Sequence, residues 1–357
     1  LASPSGMLGM AKAAAMSRTE EYGRGGRLIF RVLAVASLVA AFAQVTLGGI
    51  VRVTGSGLGC PDWPLCHGQI IPPFEFATIL EYSHRLSASL LGVLVLATMA
   101  VVLMSYRSNR WGKNSILTAL GLVFVAAILG GATVLTELAW WLRLLHLGIA
   151  EGAVAALVVA VIVSWRVGAA NAMPADTVAG DAVSDTEYAR SVNRLLIAAL
   201  IGVFLLILSG SYIVGAGYGS SCSTWPLCRG SLFPEGRAYI EHMGHRYFAA
   251  IVGLLILAVA YKAWQMRFRM PSVGWSGMLL AASFAAQILV GALTVWLGFT
   301  PEIKAIHLSM ATLVWIALVF VAALVYVPQR FTGNEQAHGD DEIVIADGLS
   351  DGLIERA

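Results

Sequence analysis

Residues 47–68 read LGGIVRVTGSGLGCPDWPLCHG, and residues 209–230 read SGSYIVGAGYGSSCSTWPLCRG. The Trp-Pro-Leu-Cys string recurs at a spacing of 162 residues, from Trp63–Cys66 to Trp225–Cys228. Farther along, His84-Arg85 returns as His245-Arg246 and His146-Leu147 as His307-Leu308, both 161 residues apart. An internal repeat at a fixed spacing sets architecture before any local detail does. The chain therefore reads as two copies of one unit.

Around these strings the chain is apolar. Stretches near the ~20 residues needed to cross hydrocarbon run over 28–51, 76–106, 115–136, 139–165, 195–216, 238–261, 277–299 and 304–327. Hydrophobic residues fill 58% of the 357 positions and charged residues 12%, against roughly 25% charged in a soluble domain. The reading is an all-α membrane protein of eight transmembrane helices. Four helices per copy, an even number, leave both copies running the same way. They form two tandem four-helix bundles related by a pseudo-two-fold axis along the membrane normal.

The expected divisions are a cytoplasmic N-terminal segment (1–27), an N-terminal bundle (28–166), a cytoplasmic linker (167–193), a C-terminal bundle (194–328) and a disordered cytoplasmic tail (329–357). The first apolar stretch is too long for a signal-peptide core and is read as a retained span. Basic residues set the orientation. Lys12, Arg18, Arg24, Arg27, Arg107, Arg110, Lys113, Arg166, Arg190, Arg194, Lys262, Arg267, Arg269 and Arg330 fall on one side. Arg52, Arg143, Arg229, Arg237 and Lys304 fall on the other, which puts both termini in the cytoplasm. A net charge of +2, with no basic patch, implies no nucleic-acid partner.

Four of the seven histidines fall inside these helices at repeat-equivalent places: His84, His146, His245 and His307. All four sit at a shared depth near the outer ends of their helices. Imidazole pairs from facing helices are how a bundle core ligates haem iron. Structural zinc asks for four N or S ligands, and each half offers only two such histidines. Polar packing remains the plain alternative. Arg85 and Arg246 directly follow two of the histidines, where a guanidinium meets either haem propionates or lipid headgroups.

Repeat symmetry breaks at one place. Glu81-Tyr82-Ser83-His84-Arg85 becomes His242-Met243-Gly244-His245-Arg246, so Glu81 is replaced by His242. Three residues apart on a helix is one face, which sets Glu81 beside whatever His84 ligates. A carboxylate in a span is functional by default, with a salt bridge to Arg85 as the competing reading. The first half is then the reactive one. Glu151, opposite Thr312 in the repeat, has no assignable role. Cys60 with Cys66 and Cys222 with Cys228 lie in outward loops, where disulfides persist. Reversible thiol exchange is the alternative, weakened because the spacing is not Cys-x-x-Cys. The glycines of Gly55-Ser56-Gly57-Leu58-Gly59 follow a helix rather than a strand and read as a turn.

Taken together, VRVTGSGLGCPDWPLCHG, EYSHR (81–85), LHLGIA (145–150), HMGHR (242–246) and IHLSMA (306–311) resemble the haem A synthase family over residues 28–328. The resemblance implies oxidation of a methyl group of haem O to a formyl group by successive hydroxylations, giving haem A for terminal oxidases. It implies haem O as substrate on His84 and His146, haem b as cofactor on His245 and His307, and Glu81 as the catalytic carboxylate. Its implied partners are a haem O synthase (protohaem farnesyltransferase) as substrate donor and terminal oxidase assembly as product acceptor. The setting is the lipid bilayer of the inner membrane, with room for a homo-oligomer. Some family members lack the loop cysteines. The main rival is a bis-histidine dihaem electron-transfer cytochrome, linked to quinol, that modifies no haem. A quinone-linked thiol oxidase has no use for four buried histidines, and the sparse charge on helices 1, 3, 5 and 7 disfavours a channel or transporter.

Overall fold

A computed structural model describes residues 4–167 and 185–327, with side chains described over 25–167 and 192–327. The described secondary structure is helical, in eight elements: α1 (Pro4–Val53), α2 (Phe76–Ser105), α3 (Arg110–Leu135), α4 (Trp140–Arg166), α5 (Asp185–Gly215), α6 (Arg237–Gln265), α7 (Pro271–Trp296) and α8 (Pro301–Tyr326). Each contains a segment long and apolar enough to cross a membrane, from Gly25–Val53 in α1 to Pro301–Tyr326 in α8. Large apolar side chains such as Phe124, Leu254 and Leu279 are exposed on the perimeter. That is the surface hydrocarbon solvates.

Four helix starts lie five or more residues before the sequence expectation. Helix α1 starts at Pro4 rather than 28, because the preceding segment is built of Ala, Met, Glu and Arg, which are strong helix formers. Helix α5 begins at Asp185, inside the expected linker; residues 168–184 and the expected tail, 329–357, lie outside the described residues. Helices α3 and α7 begin five or six residues early, where local start signals outweigh polarity. The Asn109 side chain accepts from Gly112 N at 2.8 Å, and Pro271 occupies the first turn of α7, a position that suits its missing N–H.

Within each half the helices touch in a ring: α1–α2, α2–α3, α3–α4 and α1–α4 in the first, and α5–α6, α6–α7, α7–α8 and α5–α8 in the second. Between halves, α1 meets α8, α4 meets α5, and α4 meets α8. Exchanging α1 with α5 and α4 with α8 leaves these contacts unchanged. The inner elements are α4 and α8, each with 56% of its span buried against 22–33% elsewhere. Small buried residues recur along both helices, among them Ala153, Ala156, Ala160, Ala317 and Ala322, which suits close backbone approach in membrane bundles.

Polar contacts lock this seam. The Thr312 hydroxyl donates to Glu151 Oε1 at 2.7 Å, and Trp315 Nε1 donates to the Glu151 carbonyl at 2.9 Å. Glu151 and Thr312 are repeat-equivalent, so one position of the unit meets its own copy. Nearer the ends, Ser309 on α8 donates to Thr46 on α1 at 3.0 Å. Arg166 at the end of α4 donates to the carbonyls of Leu324 and Val327. Glu151 Oε2 has no partner among the described residues. Thr312→Val thus strips the buried carboxyl of its remaining side-chain bond, an expected loss of about 1–3 kcal/mol. Thermal unfolding in detergent checks this: a clearly lower Tm is expected, and an unchanged Tm would mean that the seam is held by apolar packing alone.

Candidate functional site

Each expected histidine lies in its predicted helix, and the four form two pairs. His84 on α2 is within electrostatic reach of His146 on α4, and His245 on α6 of His307 on α8. Each ring rests against a helical glycine. A Cβ placed on Gly48 of α1 would lie 2.9 Å from His84 Cε1, and one on Gly210 of α5 would lie 3.1 Å from His245 Cε1. On α3 and α7 the same test gives 3.4 Å between Gly130 and His146 Cε1, and 3.2 Å between Gly291 and His307 Cε1. Helices α1, α3, α5 and α7 therefore back the imidazoles with bare backbone. Gly48 and Gly210 are 162 residues apart and Gly130 and Gly291 are 161 apart, the spacings of the motifs themselves.

Hydrogen bonds orient the rings. His146 Nδ1 lies 2.9 Å from the Ala126 carbonyl; a carbonyl only accepts, so Nδ1 carries the proton and Nε2 keeps its lone pair. The Ser209 hydroxyl donates to Leu206 O, which leaves its oxygen to accept from His245 Nδ1 at 2.8 Å. His245 is thereby fixed in the same form. His307 Nδ1 is buried with no partner. His84 is held differently. The Gln44 amide nitrogen lies 3.1 Å from His84 Nδ1 and donates to the His84 carbonyl, while Gln44 Oε1 accepts from the Ser87 hydroxyl. With its nitrogen on the His84 carbonyl and its oxygen on Ser87, the amide meets His84 Nδ1 as a donor, unlike the acceptors that face His146 and His245. The Nδ1–H bonds of His146 and His245, the open nitrogen of His307 and the four glycine cradles fit iron held between paired imidazoles. No cluster of three or more acidic, histidine or cysteine ligands exists among the described residues, so the arrangement offers two-ligand sites rather than a structural zinc site.

Glu81 is buried at the loop end of α2, and Arg85 Nε donates to its Oε1 at 3.1 Å. The salt bridge anticipated as the competing reading is therefore present, and it coexists with a face shared with His84. His242, the counterpart of Glu81, accepts instead from Cys222 N at 3.4 Å and meets the Phe299 ring edge-on.

Both cysteine pairs are disulfides, Cys60–Cys66 and Cys222–Cys228. Sequence reasoning missed what holds these loops. Besides Glu81, Arg85 donates to the carbonyls of Asp62, Leu65 and Cys60 at 2.6–2.9 Å. Arg246 makes the matching set with Thr224 and Pro226 at 2.8–2.9 Å and more loosely with Leu227 and Cys222. These guanidiniums act as clamps on the loops. Asp62 completes the first loop by accepting from the backbone N–H groups of Gly68 and His67. Those bonds, Gly68 foremost, together with Arg85, hold its carboxyl below the ordinary range. Thr224 takes the place of Asp62 in the second loop, accepting from Arg229 N. The loop glycines do form turns, and Gly59 packs so closely on α2 that a Cβ would fall 2.2 Å from Ala77 O.

The family model described as cytochrome oxidase assembly protein, COX15-CtaA, matches residues 31–319. The chain is similar to proteins named Heme A synthase. That of Alkalihalophilus pseudofirmus is 25% identical over 306 residues, 84% of this chain and 98% of the relative. That of Exiguobacterium sibiricum is 27% identical over 299 residues, 80% and 94%. That of Geobacillus kaustophilus is 27% identical over 315 residues, 87% and 95%.

The clamp has a direct test. Arg85→Gln should raise hydrogen–deuterium exchange several-fold in peptides covering 60–69 while leaving 222–231 near the parent rate. Unchanged exchange in 60–69 would mean that the disulfide and Asp62 hold the loop without the guanidinium.

Proposed function

Because the chain belongs to the COX15-CtaA family of cytochrome oxidase assembly proteins, we propose that it oxidises a methyl group of haem O to a formyl group, by successive hydroxylations, to yield haem A. The observation that supports this most strongly is the pairing of four buried imidazoles, each backed by glycine at repeat-equivalent places, inside the span that matches the family. The tandem-bundle reading draws support from the unchanged helix contacts when the halves are exchanged.

Within that reading, His84 and His146 hold the substrate haem O, and His245 and His307 hold a resident haem b. Iron porphyrin supplies the one-electron and oxygen chemistry when bound. The protein's own residues orient the ligands and set charge. Ser209 and the Ala126 carbonyl fix the rings of His245 and His146 through Nδ1. Glu81 places a carboxylate one turn from His84, with Arg85 as its counter-charge; it acts by accepting a proton or stabilising positive charge as the methyl group is oxidised. The second half has no carboxylate at that position, so His242 marks it as the supporting half. The carbonyl clamps already occupy Arg85 and Arg246, and a propionate reaching either would share it with a loop. Basic-residue placement supports cytoplasmic termini in the inner membrane. A haem O synthase as donor and the assembling terminal oxidase as acceptor follow from the substrate and product.

Glu81→Gln keeps shape and hydrogen-bonding reach while removing charge. The expected variant folds and binds both haems, but accumulates haem O or a hydroxylated intermediate, with haem A formation slowed on the order of 10² to 10³. Chromatography of extracted pigment from cells supplied with haem O reads this directly. Haem A made at the parent rate would reduce Glu81 to a partner of Arg85. Independently, His245→Ala or His307→Ala should remove a low-spin haem that otherwise survives purification. Unchanged low-spin content in reduced spectra of both variants would overturn the second-half assignment.

A further inference from the structure

Two arginines at the loop end of the first bundle play no part in the contacts described above. Arg52 stands at the end of α1 and Arg143 in the first turn of α4. They lie within electrostatic reach of each other. Each has a buried Nε with no hydrogen-bond partner. No acidic side chain is paired with either among the described residues, and the ion pairs recorded there are Arg85–Glu81 and Arg237–Glu241. Arg52 does bind the second half, donating to the Ser211 hydroxyl at 2.7 Å and its carbonyl at 2.8 Å. Two half-buried guanidiniums within electrostatic reach of each other, with no acidic partner among the described residues, repel one another. Such a pair makes sense when an anion completes it.

Helical register says where that anion sits. Arg52 follows Gly48, the residue behind His84, by four positions; Arg143 precedes His146 by three. Both intervals keep a residue on one helix face. Helix α1 ends at the loop end of the bundle and α4 starts there, so both guanidiniums stand about one turn, ~5.4 Å, beyond the His84–His146 pair on the same side. The second half comes close here: a Cβ on Gly215 of α5 would lie 3.3 Å from Trp140 Cβ and 3.7 Å from the Arg52 guanidinium. The repeat does not duplicate this arrangement. Val214 replaces Arg52, and Lys304, which replaces Arg143, sits 5.9 Å from the Phe299 ring.

We propose that Arg52 and Arg143 form a carboxylate-binding cap, specific to the first half, that receives the propionate groups of the haem held by His84 and His146. It rests on the assignment of those two histidines to the substrate haem. The planar fork of each arginine suits a carboxylate bidentately, and the dianionic edge of the porphyrin supplies the charge the pair lacks. The cap fixes which edge of the macrocycle points to the loop end, and so which edge is turned away from it.

The test is an absorbance titration of the purified full-length protein with haem O and with its dimethyl ester, in which the carboxylates are masked. The parent should favour the free acid by about ten-fold or more. Arg143→Gln removes no hydrogen bond seen in the structure, and Arg52→Lys keeps a charge while losing the fork; each should cut that preference by about ten-fold, with the haem at His245 and His307 unaffected. Equal binding of acid and ester by the parent, or a preference unaltered in both variants, overturns the cap. Adding phosphatidylglycerol separates the other source of anionic oxygen. If that lipid competes with both forms of haem equally, and Arg143→Gln abolishes the competition, the pair belongs to lipid and the proposal fails. His84→Ala separates the two levels. Loss of titratable binding in that variant, with the preference intact in the arginine variants, overturns the cap alone. Full binding without His84 overturns the histidine assignment and the cap with it.

Discussion

Hydrocarbon offers no water to a polar atom, so each buried donor and acceptor in a span must find its partner inside the protein. That constraint organises the polar residues described here. Thr312 answers Glu151 across the α4–α8 seam. Arg85 and Arg246 answer loop carbonyls that no strand or helix pairs. Ser209 and the Ala126 carbonyl answer imidazole nitrogens. Among the described residues five buried side-chain atoms stay unanswered: His307 Nδ1, Arg52 Nε and Arg143 Nε near the two histidine pairs, Glu151 Oε2 on the α4–α8 seam, and Gln287 Oε1 on α7. The apolar bulk of the helices sets the frame, and the polar contacts tie the helices and loops to one another within it.

Repetition makes those exceptions easier to weigh. Two copies of one unit share the histidines, the glycines behind them, the disulfides and the clamping arginines. They part at Glu81 against His242, Arg52 against Val214 and Gln44 against Leu206, and in the other direction at Leu47 against Ser209. In the first three the first half carries the group with more charge or more hydrogen-bonding capacity, whereas Ser209 gives the second half a hydroxyl on His245. The two halves share a scaffold and differ in the polar groups around their imidazole pairs.

Much of this was legible in the sequence because hydropathy and repeat spacing are strong signals. The eight helices, the four histidines, both disulfides and the Glu81 asymmetry could all be read from them. Helix ends were less legible, since α3 and α7 start in polar turns that hydropathy does not register. The glycines behind the rings recur at the motif spacings and were readable in principle, but a missing side chain draws no attention. The clamp by Arg85 and Arg246 had no such signal, because its acceptors are main-chain carbonyls that any residue possesses. Arg52 and Arg143 entered the reading only as basic residues on the outward side. Nothing in a one-dimensional string says that two cations 91 positions apart come within electrostatic reach of each other.

Arg85 is bonded along the chain to His84 and through space to three carbonyls of the disulfide ring, and Arg246 repeats this beside His245. Loop and ligand are thereby geared together. A load on the ring therefore falls on the helical turn that also carries the imidazole. The disulfide limits how far the ring can stretch under that load, so little of the motion is lost as slack. Each loop and the histidine beneath it thus share one turn of helix, and the placement of the one sets the placement of the other.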